Sequence, residues 1–241
     1  MSTVLSTPRV ALGVFETLLV VDGAAVELDA HLDRLAASTS DLFDAALPPG
    51  LGQRLGEQTR GLPLGRLRVT LAPGRDGLAA TIATEAVDPA CVFPTWEHGA
   101  ELSSLRHDGG LGSHKWADRT PLAAAPPGTV PLVLDRGREV LEAGRASVFV
   151  AVRGKLATPP LDGRVLPGIA RAGAIAAAAE AGIELEERPL DRDELLGADE
   201  VFLTGSVRGV EPARSLDGIP LPPQGELSRR VAAGLRRRWK L

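Results

Sequence analysis

A glycine-rich stretch, DGGLGS at 108–113, separates two segments of this 241-residue chain that each carry strand and helix signals. Such a composition is flexible and holds regular structure poorly. We therefore predict an interdomain linker at 108–113, with a smaller N-terminal α+β domain at 1–107 and a larger C-terminal α/β domain at 114–241. A chain of this length can bury the cores of two such domains or of one large domain.

The first segment is predicted to contain two hairpins and two helices. The apolar run at 13–21 indicates a strand, and the Asp-Gly pair at 22–23 is a hairpin signal. An amphipathic helix follows, with Asp29 as its expected N-cap. A second helix near 51–60 and a second hairpin within 65–87 complete this segment.

The second segment is predicted to contain four short strands and two helices. The strands are expected at 131–135, 147–152, 183–189 and 200–204. The helices are GIARAGAIAAAAEAG, which closes at Gly182, and the basic run GELSRRVAAGLRRRW. Strands that alternate with occasional helices indicate a mixed α/β fold.

The charge balance and the cysteine content limit the classes of partner. A formal net charge of -4 argues against general nucleic-acid binding and favours a small-molecule partner. One cysteine, Cys91, can form neither an internal disulfide nor a zinc site by itself, so we expect no metal and a reducing compartment. With no signal-peptide pattern and no apolar window long enough for a bilayer, we expect a cytoplasmic protein without membrane contact.

Three stretches have features that suit an anion, and one of them is AHLDRLAAS, which contains His31 and Arg34. In RVLPGIAR, at 164–171, Pro-Gly precedes a predicted helix, so the first-turn amides of Ile169 and Ala170 can bind phosphate. An ordinary turn into a helix is the alternative. In FLTGSVRG, at 202–209, a strand ends in Thr204, Gly205 and Ser206, and such small hydroxyl residues around a glycine can aim a hydroxyl and an amide at one ligand oxygen. A plain hairpin turn is the alternative there.

Four charged residues also need an explanation. His31 and Arg34 lie three positions apart on the first predicted helix, a spacing that most often marks a surface pair. Glu142 precedes an apolar strand, where a carboxylate is costly unless it has a cationic partner or lies at a solvated strand edge. Lys115 lies in LGSHKWADRTPL, at 111–122, and taken alone this stretch predicts a surface lysine.

The order of these stretches resembles a known family. GVFETLLV, AHLDRLAAS, HKWADR, the run from Glu142 to Arg171 and ADEVFLTGSVRGVEPARSLDG look like the successive motifs of the fold-type IV enzymes that use pyridoxal phosphate. The family holds branched-chain and D-amino acid aminotransferases and 4-amino-4-deoxychorismate lyase. The resemblance implies a two-domain α/β fold like that of D-amino acid aminotransferase, pyridoxal 5'-phosphate as cofactor, and a homodimer.

The resemblance also implies roles for the matched residues. Lys115 matches the lysine that forms the internal aldimine and later moves the proton, and Glu142 matches the carboxylate that faces the pyridine nitrogen. The matched phosphate ligands are Arg34, Ser206 and the amides of Ile169 and Ala170. Separately, Arg68, Arg119 and Arg208 are hypothetical contacts to substrate carboxylates, because a guanidinium fork suits a carboxylate. A surface or structural charge is the alternative for each.

The chain departs from the family pattern at several points. The strand pair that usually precedes the first motif is missing, so the resemblance implies a trimmed N-terminal domain. Leu19 stands where many members have arginine, Ser147 replaces a common asparagine, and Ala170 replaces a threonine, which removes a hydroxyl from the phosphate site. The chain has no tyrosine, although transaminases often have one near the cofactor.

The pattern SHKWADR most resembles that of 4-amino-4-deoxychorismate lyase, which implies conversion of that substrate to 4-aminobenzoate and pyruvate in the synthesis of a folate precursor. A synthase that supplies aminodeoxychorismate is then a candidate partner. A class IV aminotransferase acting on branched-chain or D-amino acids is the alternative. A pyridoxal phosphate-binding relative without turnover is the further alternative.

Overall fold

The computed structural model describes residues 7–241, and the contacts among them divide the chain into two units. The smaller unit comprises residues 7–89 and 114–120. The larger unit comprises residues 90–113 and 121–241. Each unit has its own sheet and its own buried apolar cluster, which confirms the predicted mixed α/β class.

The smaller unit is a four-stranded antiparallel sheet with two helices. Its elements are β1 (Val14–Val21), β2 (Ala24–Ala25), α1 (Leu28–Phe43), α2 (Leu51–Thr59), β3 (Leu64–Gly74) and β4 (Gly77–Ala86). The strand order is β2-β1-β3-β4. Asp22 and Gly23 both have positive φ, 48° and 78°, as a tight two-residue hairpin turn requires. Both predicted hairpins and both predicted helices are therefore confirmed.

The start of α1 differs from the prediction. Glu27 is the N-cap residue, with a left-handed φ of 52° and no capping hydrogen bond from its side chain. Asp29, the predicted N-cap, lies within the first turn instead. An acidic side chain in the first turn still interacts favourably with the helix dipole, so the sequence signal was correct for the region and wrong for the residue.

The larger unit is a ten-stranded mixed sheet with three helices. Its elements are β5 (Ala100–Arg106), β6 (Val130–Leu134), β7 (Glu139–Ala143), β8 (Ser147–Val152), β9 (Lys155–Thr158), α3 (Ile169–Glu180), β10 (Leu185–Glu187), β11 (Leu190–Asp191), α4 (Arg192–Leu196), β12 (Glu200–Gly205), β13 (Gly209–Leu216), β14 (Ile219–Pro220) and α5 (Glu226–Trp239). The main strand order is β10-β9-β8-β12-β13-β5-β6-β7-β11. The four predicted strands and both predicted helices are confirmed, whereas six strands were not foreseen: β5, β7, β9, β11, β13 and β14.

The two units divide the chain differently from the predicted domains. Residues 100–106 belong to the larger unit because β5 pairs in parallel with β6 and β13. Residues 114–120 belong to the smaller unit. Parallel partners that lie far away along the chain leave no local trace in the sequence, so the glycine-rich stretch was the only visible boundary signal.

The glycine-rich stretch is fixed by hydrogen bonds within the larger unit. The Gly109 N–H donates to Asp135 Oδ1 at 3.0 Å, and the Gly112 N–H donates to the Arg164 carbonyl at 3.2 Å. A Cβ on Gly110, where φ is 69°, would lie 2.1 Å from that same carbonyl oxygen. Glycine is therefore needed here for close backbone contact, and not for flexibility alone.

The core of the larger unit lies on both faces of its sheet. On the face covered by helices, the rings of Phe149 on β8 and Phe202 on β12 stack with centroids 5.2 Å apart, and both side chains are fully buried. Glu200, on the same face of β12, accepts hydrogen bonds from two amides at the start of α5. Across residues 7–241, none of the helices has the length and apolar character that a membrane span requires.

Candidate active site

A buried carboxylate in the smaller unit is held by two side chains of α1. Glu16, on β1, is 1% exposed. His31 Nδ1 lies 2.7 Å from its Oε2, and Arg34 donates from Nε and Nη2 to its two oxygens, each at 2.7 Å. Burial by itself raises the pKa of Glu16, but the hydrogen bonds from His31 and Arg34 outweigh burial and lower that pKa to about 2. For His31 the effect of burial has the opposite sign, because burial disfavours the charged imidazolium and so lowers the pKa.

This geometry corrects the expectation of a surface pair at His31 and Arg34. His31 is 2% exposed and the Arg34 side chain 10%, because this face of α1 packs against β1. The two bonds to Glu16 fix the plane of the Arg34 guanidinium. The role of Arg34 toward a cofactor phosphate stays a prediction.

Lys115 lies in an extended segment that pairs with the chain around β1. The Phe15 N–H donates to the Lys115 carbonyl, and the Ala117 N–H donates to the Gly13 carbonyl, both at 2.9 Å. These bonds hold the backbone on both sides of Lys115, and the residue is half-buried. The simple expectation of a freely exposed surface lysine is therefore wrong.

Three cationic side chains surround the ring of Phe15, which is 6% exposed. Arg68 Cζ lies 3.9 Å, Lys115 Nζ 5.0 Å and Arg119 Cζ 5.9 Å from the ring centroid. All three groups lie within the range in which a cation is attracted to an aromatic ring. Burial and, secondly, the charge of Arg66 lower the pKa of Arg68. The smaller unit thus gathers positive charge beside the predicted catalytic lysine.

Glu142, the predicted partner of a pyridine nitrogen, lies in β7 of the larger unit. It is 8% exposed, so the alternative of a solvated strand edge is wrong. The Leu166 N–H lies 3.4 Å from its Oε2. The loop that contains Leu166 is tied to β7 by Arg164, which donates to both carboxylate oxygens of Glu139 at 2.7 and 2.6 Å.

The helix start predicted from RVLPGIAR is confirmed at Ile169. The first helical hydrogen bond runs from the Ala172 N–H to the Gly168 carbonyl at 3.0 Å, so the amides of 169–171 have no acceptor within the helix. A Cβ on Gly168 would lie 2.7 Å from Ser147 Oγ. The close approach of strand and helix start therefore requires a residue as small as glycine.

The stretch FLTGSVRG forms a hairpin, and the role of Ser206 toward a phosphate stays a prediction. Strands β12 and β13 pair directly, and Ser206 lies in the turn between them. Thr204, next to the end of β12, lies opposite Ser147 on β8 and is 2% exposed. No donor or acceptor in the range 7–241 forms a hydrogen bond with Thr204 Oγ1.

Arg208, a predicted substrate contact, is engaged with a buried carboxylate. Its Nε lies 2.9 Å from Oε1 of Glu211, which is 2% exposed, and its Nη2 donates to the His98 carbonyl at 3.2 Å. Arg145 donates to the same carboxylate at 2.7 and 2.9 Å. Arg208 therefore helps neutralise Glu211, and its contact with a substrate stays a prediction.

For Thr204 the sequence showed only its place at a strand end, and Glu16 and Phe15 were not singled out from the sequence. Glu16 could have been, because a lone carboxylate inside the apolar run 14–21 must find a partner, and a His/Arg pair follows on the next helix. Phe15 gives no such signal, since the cations around it come from β3 and from 114–120. The unbonded hydroxyl of Thr204 is visible only in three dimensions.

The described residues fit pyridoxal phosphate by their chemistry. In the larger unit, the free amides at the start of α3 and the unbonded Thr204 hydroxyl suit a phosphate. The buried carboxylate of Glu142 suits a protonated pyridine nitrogen. The smaller unit carries Lys115, a primary amine that can bond to an aldehyde.

Comparison with known proteins supports this fit. Residues 123–216 match the family profile described as amino-transferase class IV. The chain is 41% identical over 88 residues to the branched-chain-amino-acid aminotransferase of Escherichia coli strain K12, a match that spans 28% of that enzyme. This relative is therefore matched over less than a third of its length.

Two solved structures match over nearly the whole chain. The 4-amino-4-deoxychorismate lyase from Pseudomonas aeruginosa is 27% identical with a TM-score of 0.74, and the match covers 98% of this chain and 96% of that one. A hypothetical aminotransferase from Mycobacterium tuberculosis in its PLP-bound form is 24% identical with a TM-score of 0.81, covering 99% and 94%.

The comparisons confirm the predicted fold. They support, through similarity to class IV aminotransferases and to a lyase, an enzyme of that class with pyridoxal phosphate as its cofactor. They favour neither the lyase nor the aminotransferase decisively, because relatives of both kinds match. Residues 123–216 are thus similar to the class IV aminotransferases, and the chain has the fold of the 4-amino-4-deoxychorismate lyase structure.

Proposed function

We propose that the protein is a pyridoxal phosphate-dependent lyase that converts 4-amino-4-deoxychorismate into 4-aminobenzoate and pyruvate. The cation group around Phe15, formed by Arg68, Lys115 and Arg119, is the observation that carries the proposal. Each product has one carboxylate, so the substrate has two. A substrate with two carboxylates suits a site with two guanidinium groups beside the catalytic amine.

Lys115 is the proposed proton-transfer residue. The bound cofactor supplies an electron sink that makes the hydrogen on the amine-bearing ring carbon acidic. Lys115 Nζ accepts that proton, and the bond from the ring to the enolpyruvyl oxygen then breaks with its electron pair on the oxygen. The ring becomes aromatic, and Lys115 can return the proton as the enol of pyruvate becomes the ketone.

Glu142 and the start of α3 are the proposed supports for the cofactor. A carboxylate as buried as that of Glu142 stabilises a positive charge on a nearby nitrogen, so it keeps the pyridine nitrogen protonated. The amides of Ile169 and Ala170, with Ser206 and Arg34, are the proposed phosphate ligands.

An aminotransferase acting on branched-chain or D-amino acids is the second candidate. The 41% identity to the branched-chain enzyme over 88 residues favours it. A branched-chain amino acid has a single carboxylate and would use one of the two guanidinium groups, whereas the amino acceptor 2-oxoglutarate has two carboxylates and would suit both, so the products of the reaction decide between the candidates. A relative that binds the cofactor without turnover is the third candidate.

The test is a comparison of products from the purified protein loaded with pyridoxal phosphate. Pyruvate and 4-aminobenzoate released in equal amounts from 4-amino-4-deoxychorismate support the lyase. Amino transfer from leucine or D-alanine to 2-oxoglutarate, without pyruvate release, supports the aminotransferase and contradicts the lyase. Cofactor binding with neither reaction supports the non-catalytic relative. A homodimer, implied by the family resemblance, is tested on the same sample by analytical ultracentrifugation.

A further inference from the structure

The side chain of Thr204 is buried with an unsatisfied hydroxyl. Thr204 is 2% exposed, and its Oγ1 has no hydrogen-bond partner among residues 7–241. Removing a hydroxyl from water without giving it a partner costs free energy. Other buried threonine hydroxyls in the chain are bonded: Thr158 Oγ1 donates to the Val148 carbonyl at 2.8 Å, and Thr59 Oγ1 to the Gly23 carbonyl at 2.7 Å.

The face of β12 that carries Thr204 is the face covered by helices. Side chains alternate along a strand, so Thr204 shares a face with Phe202 and Glu200. Glu200 bonds to the first amides of α5, and Phe202 stacks on Phe149 beneath the helices. The Thr204 hydroxyl therefore lies between the sheet and its helix layer.

On that face, the neighbour of Thr204 touches the start of α3. Thr204 lies directly opposite Ser147 on the antiparallel strand β8, and such pairs carry their side chains on the same face about 5 Å apart. Ser147 Oγ is so close to Gly168 that a Cβ there would be 2.7 Å away. The Thr204 side chain thus lies beside the Ser147 side chain, which contacts the N-terminus of this 12-residue helix.

The start of α3 has donors but no side-chain hydroxyl. Its first amides lack helical acceptors, and the helix dipole favours an anion there. No side chain caps the helix at Gly168, and the first two helical residues, Ile169 and Ala170, have no hydroxyl. A hydroxyl supplied from β12 would add a donor to the amides that a phosphate can reach at this helix start.

We propose that Thr204 donates its hydroxyl hydrogen to the phosphate of pyridoxal phosphate bound at the start of α3, where Ile169 and Ala170 have no hydroxyl. The inference rests on the proposed binding of that cofactor. It explains why the chain retains a buried hydroxyl that no protein group satisfies, since a phosphate oxygen is a strong acceptor.

The test separates phosphate binding from protein stability. Thr204→Val removes the hydroxyl at nearly constant shape, Thr204→Ser keeps it, and Thr158→Val removes a hydroxyl that is already bonded within the protein. For each variant and the wild type, two quantities are measured: the free energy of unfolding without cofactor, and the dissociation constants for pyridoxal phosphate and for pyridoxal, which has no phosphate.

We expect Thr204→Val to weaken pyridoxal phosphate binding about tenfold or more, the effect of one hydrogen bond to a charged group. Pyridoxal binding should change less than about twofold, and the protein without cofactor should be as stable as the wild type or more so. Thr204→Ser should bind like the wild type. Thr158→Val should lose stability and keep the ratio of the two dissociation constants.

Two results would overturn the inference alone. One is pyridoxal phosphate affinity in Thr204→Val equal to that of the wild type. The other is an equal loss of affinity for both compounds, which would mean that the hydroxyl does not act through the phosphate. A wild-type protein that binds neither compound would overturn the proposed function together with the inference, so the two failures are distinguishable.

Discussion

Glu16 Oε2 and His31 Nδ1 lie 2.7 Å apart in the interior of the smaller unit, and Arg34 binds the same carboxylate through two nitrogens. The carboxylate comes from a strand and both partners come from one face of the following helix. The cluster therefore ties β1 to α1 with charge-assisted hydrogen bonds that little water reaches. Its net effect on stability depends on the ionised state of Glu16.

Replacing Glu16 with glutamine should lower the free energy of unfolding at pH 7 by about 3 kcal/mol. Its pKa falls from an ordinary 4.5 to about 2, and each pKa unit corresponds to about 1.4 kcal/mol between the charged and neutral forms. Glutamine resembles the neutral form. Urea unfolding of Glu16→Gln against Glu57→Gln, an exposed glutamate of the same unit, measures the difference. A loss of equal size in both variants would contradict this account of the cluster.

Acid should destabilise the protein in two steps traceable to this cluster. The folded pKa of His31 is depressed, so the unfolded chain binds its proton more readily and stability falls as the pH drops below about 6.5. The folded pKa of Glu16 is also depressed, so its contribution is present above about pH 4.5 and is lost as the pH falls toward 2. Unfolding free energies measured from pH 8 to pH 3 should show both steps. The lower step should be smaller in Glu16→Gln, though not absent, because other carboxylates such as Asp135 also have a lowered pKa.

The sequence predicted those parts of the fold that depend on local chemistry. The strand β1, the Asp22–Gly23 turn and the start of α3 follow from apolar runs, turn residues and Pro-Gly, which act over a few positions. The strand β5 did not, because its sequence AELSSLR is half polar and its partners β6 and β13 come from distant parts of the chain. Tertiary pairing, not propensity, makes it a strand.

The candidate site, like the fold, was predicted from the sequence only in part. Family order pointed to Lys115 and Glu142, and the structure adds that both are at least half-buried. The grouping of Arg68 and Lys115 around Phe15 could not be inferred, because it depends on the register of β1 with β3 and on the pairing of 114–120 with β1. Sequence supplied the chemical types, whereas their convergence is a property of the folded chain.

Removing the charge of Arg68 should weaken turnover of a substrate with two carboxylates. Arg68→Met is expected to lower kcat/KM for 4-amino-4-deoxychorismate about tenfold to a hundredfold, mainly through KM, because one charge-assisted contact is lost. Arg66→Met is the matched control, since Arg66 lies two positions earlier on β3 and pairs with Glu85. Steady-state kinetics with both variants decide the matter: equal effects would argue against a substrate contact at Arg68.

Two adjacent glycines of the 108–113 stretch should respond differently to alanine. Both have positive φ, so each substitution carries a strain of roughly 1 kcal/mol. Gly110→Ala also forces a Cβ to within 2.1 Å of the Arg164 carbonyl oxygen, whereas a Cβ on Gly109 meets nothing within 4 Å. Overpacking of this kind costs a further 1–3 kcal/mol, roughly. Urea unfolding should therefore show Gly110→Ala less stable than Gly109→Ala by about 2 kcal/mol. Equal free energies of unfolding would mean that the backbone at 108–113 can shift to accommodate the added Cβ.

The lysine that binds the cofactor covalently can be identified directly, because the chain has only two lysines besides Lys115, namely Lys155 and Lys240. Lys155 is an exposed residue paired with Glu184, and Lys240 is the exposed C-cap of α5. Borohydride reduction of the protein incubated with pyridoxal phosphate should attach the cofactor to Lys115, as mapped by peptide mass spectrometry. Lys115→Ala should abolish both the attachment and turnover without a change in unfolding free energy larger than about 1 kcal/mol, whereas Lys155→Ala should retain both. Attachment at Lys155 or Lys240 in place of Lys115, or substantial turnover by Lys115→Ala, would refute the assignment of Lys115 as the catalytic amine.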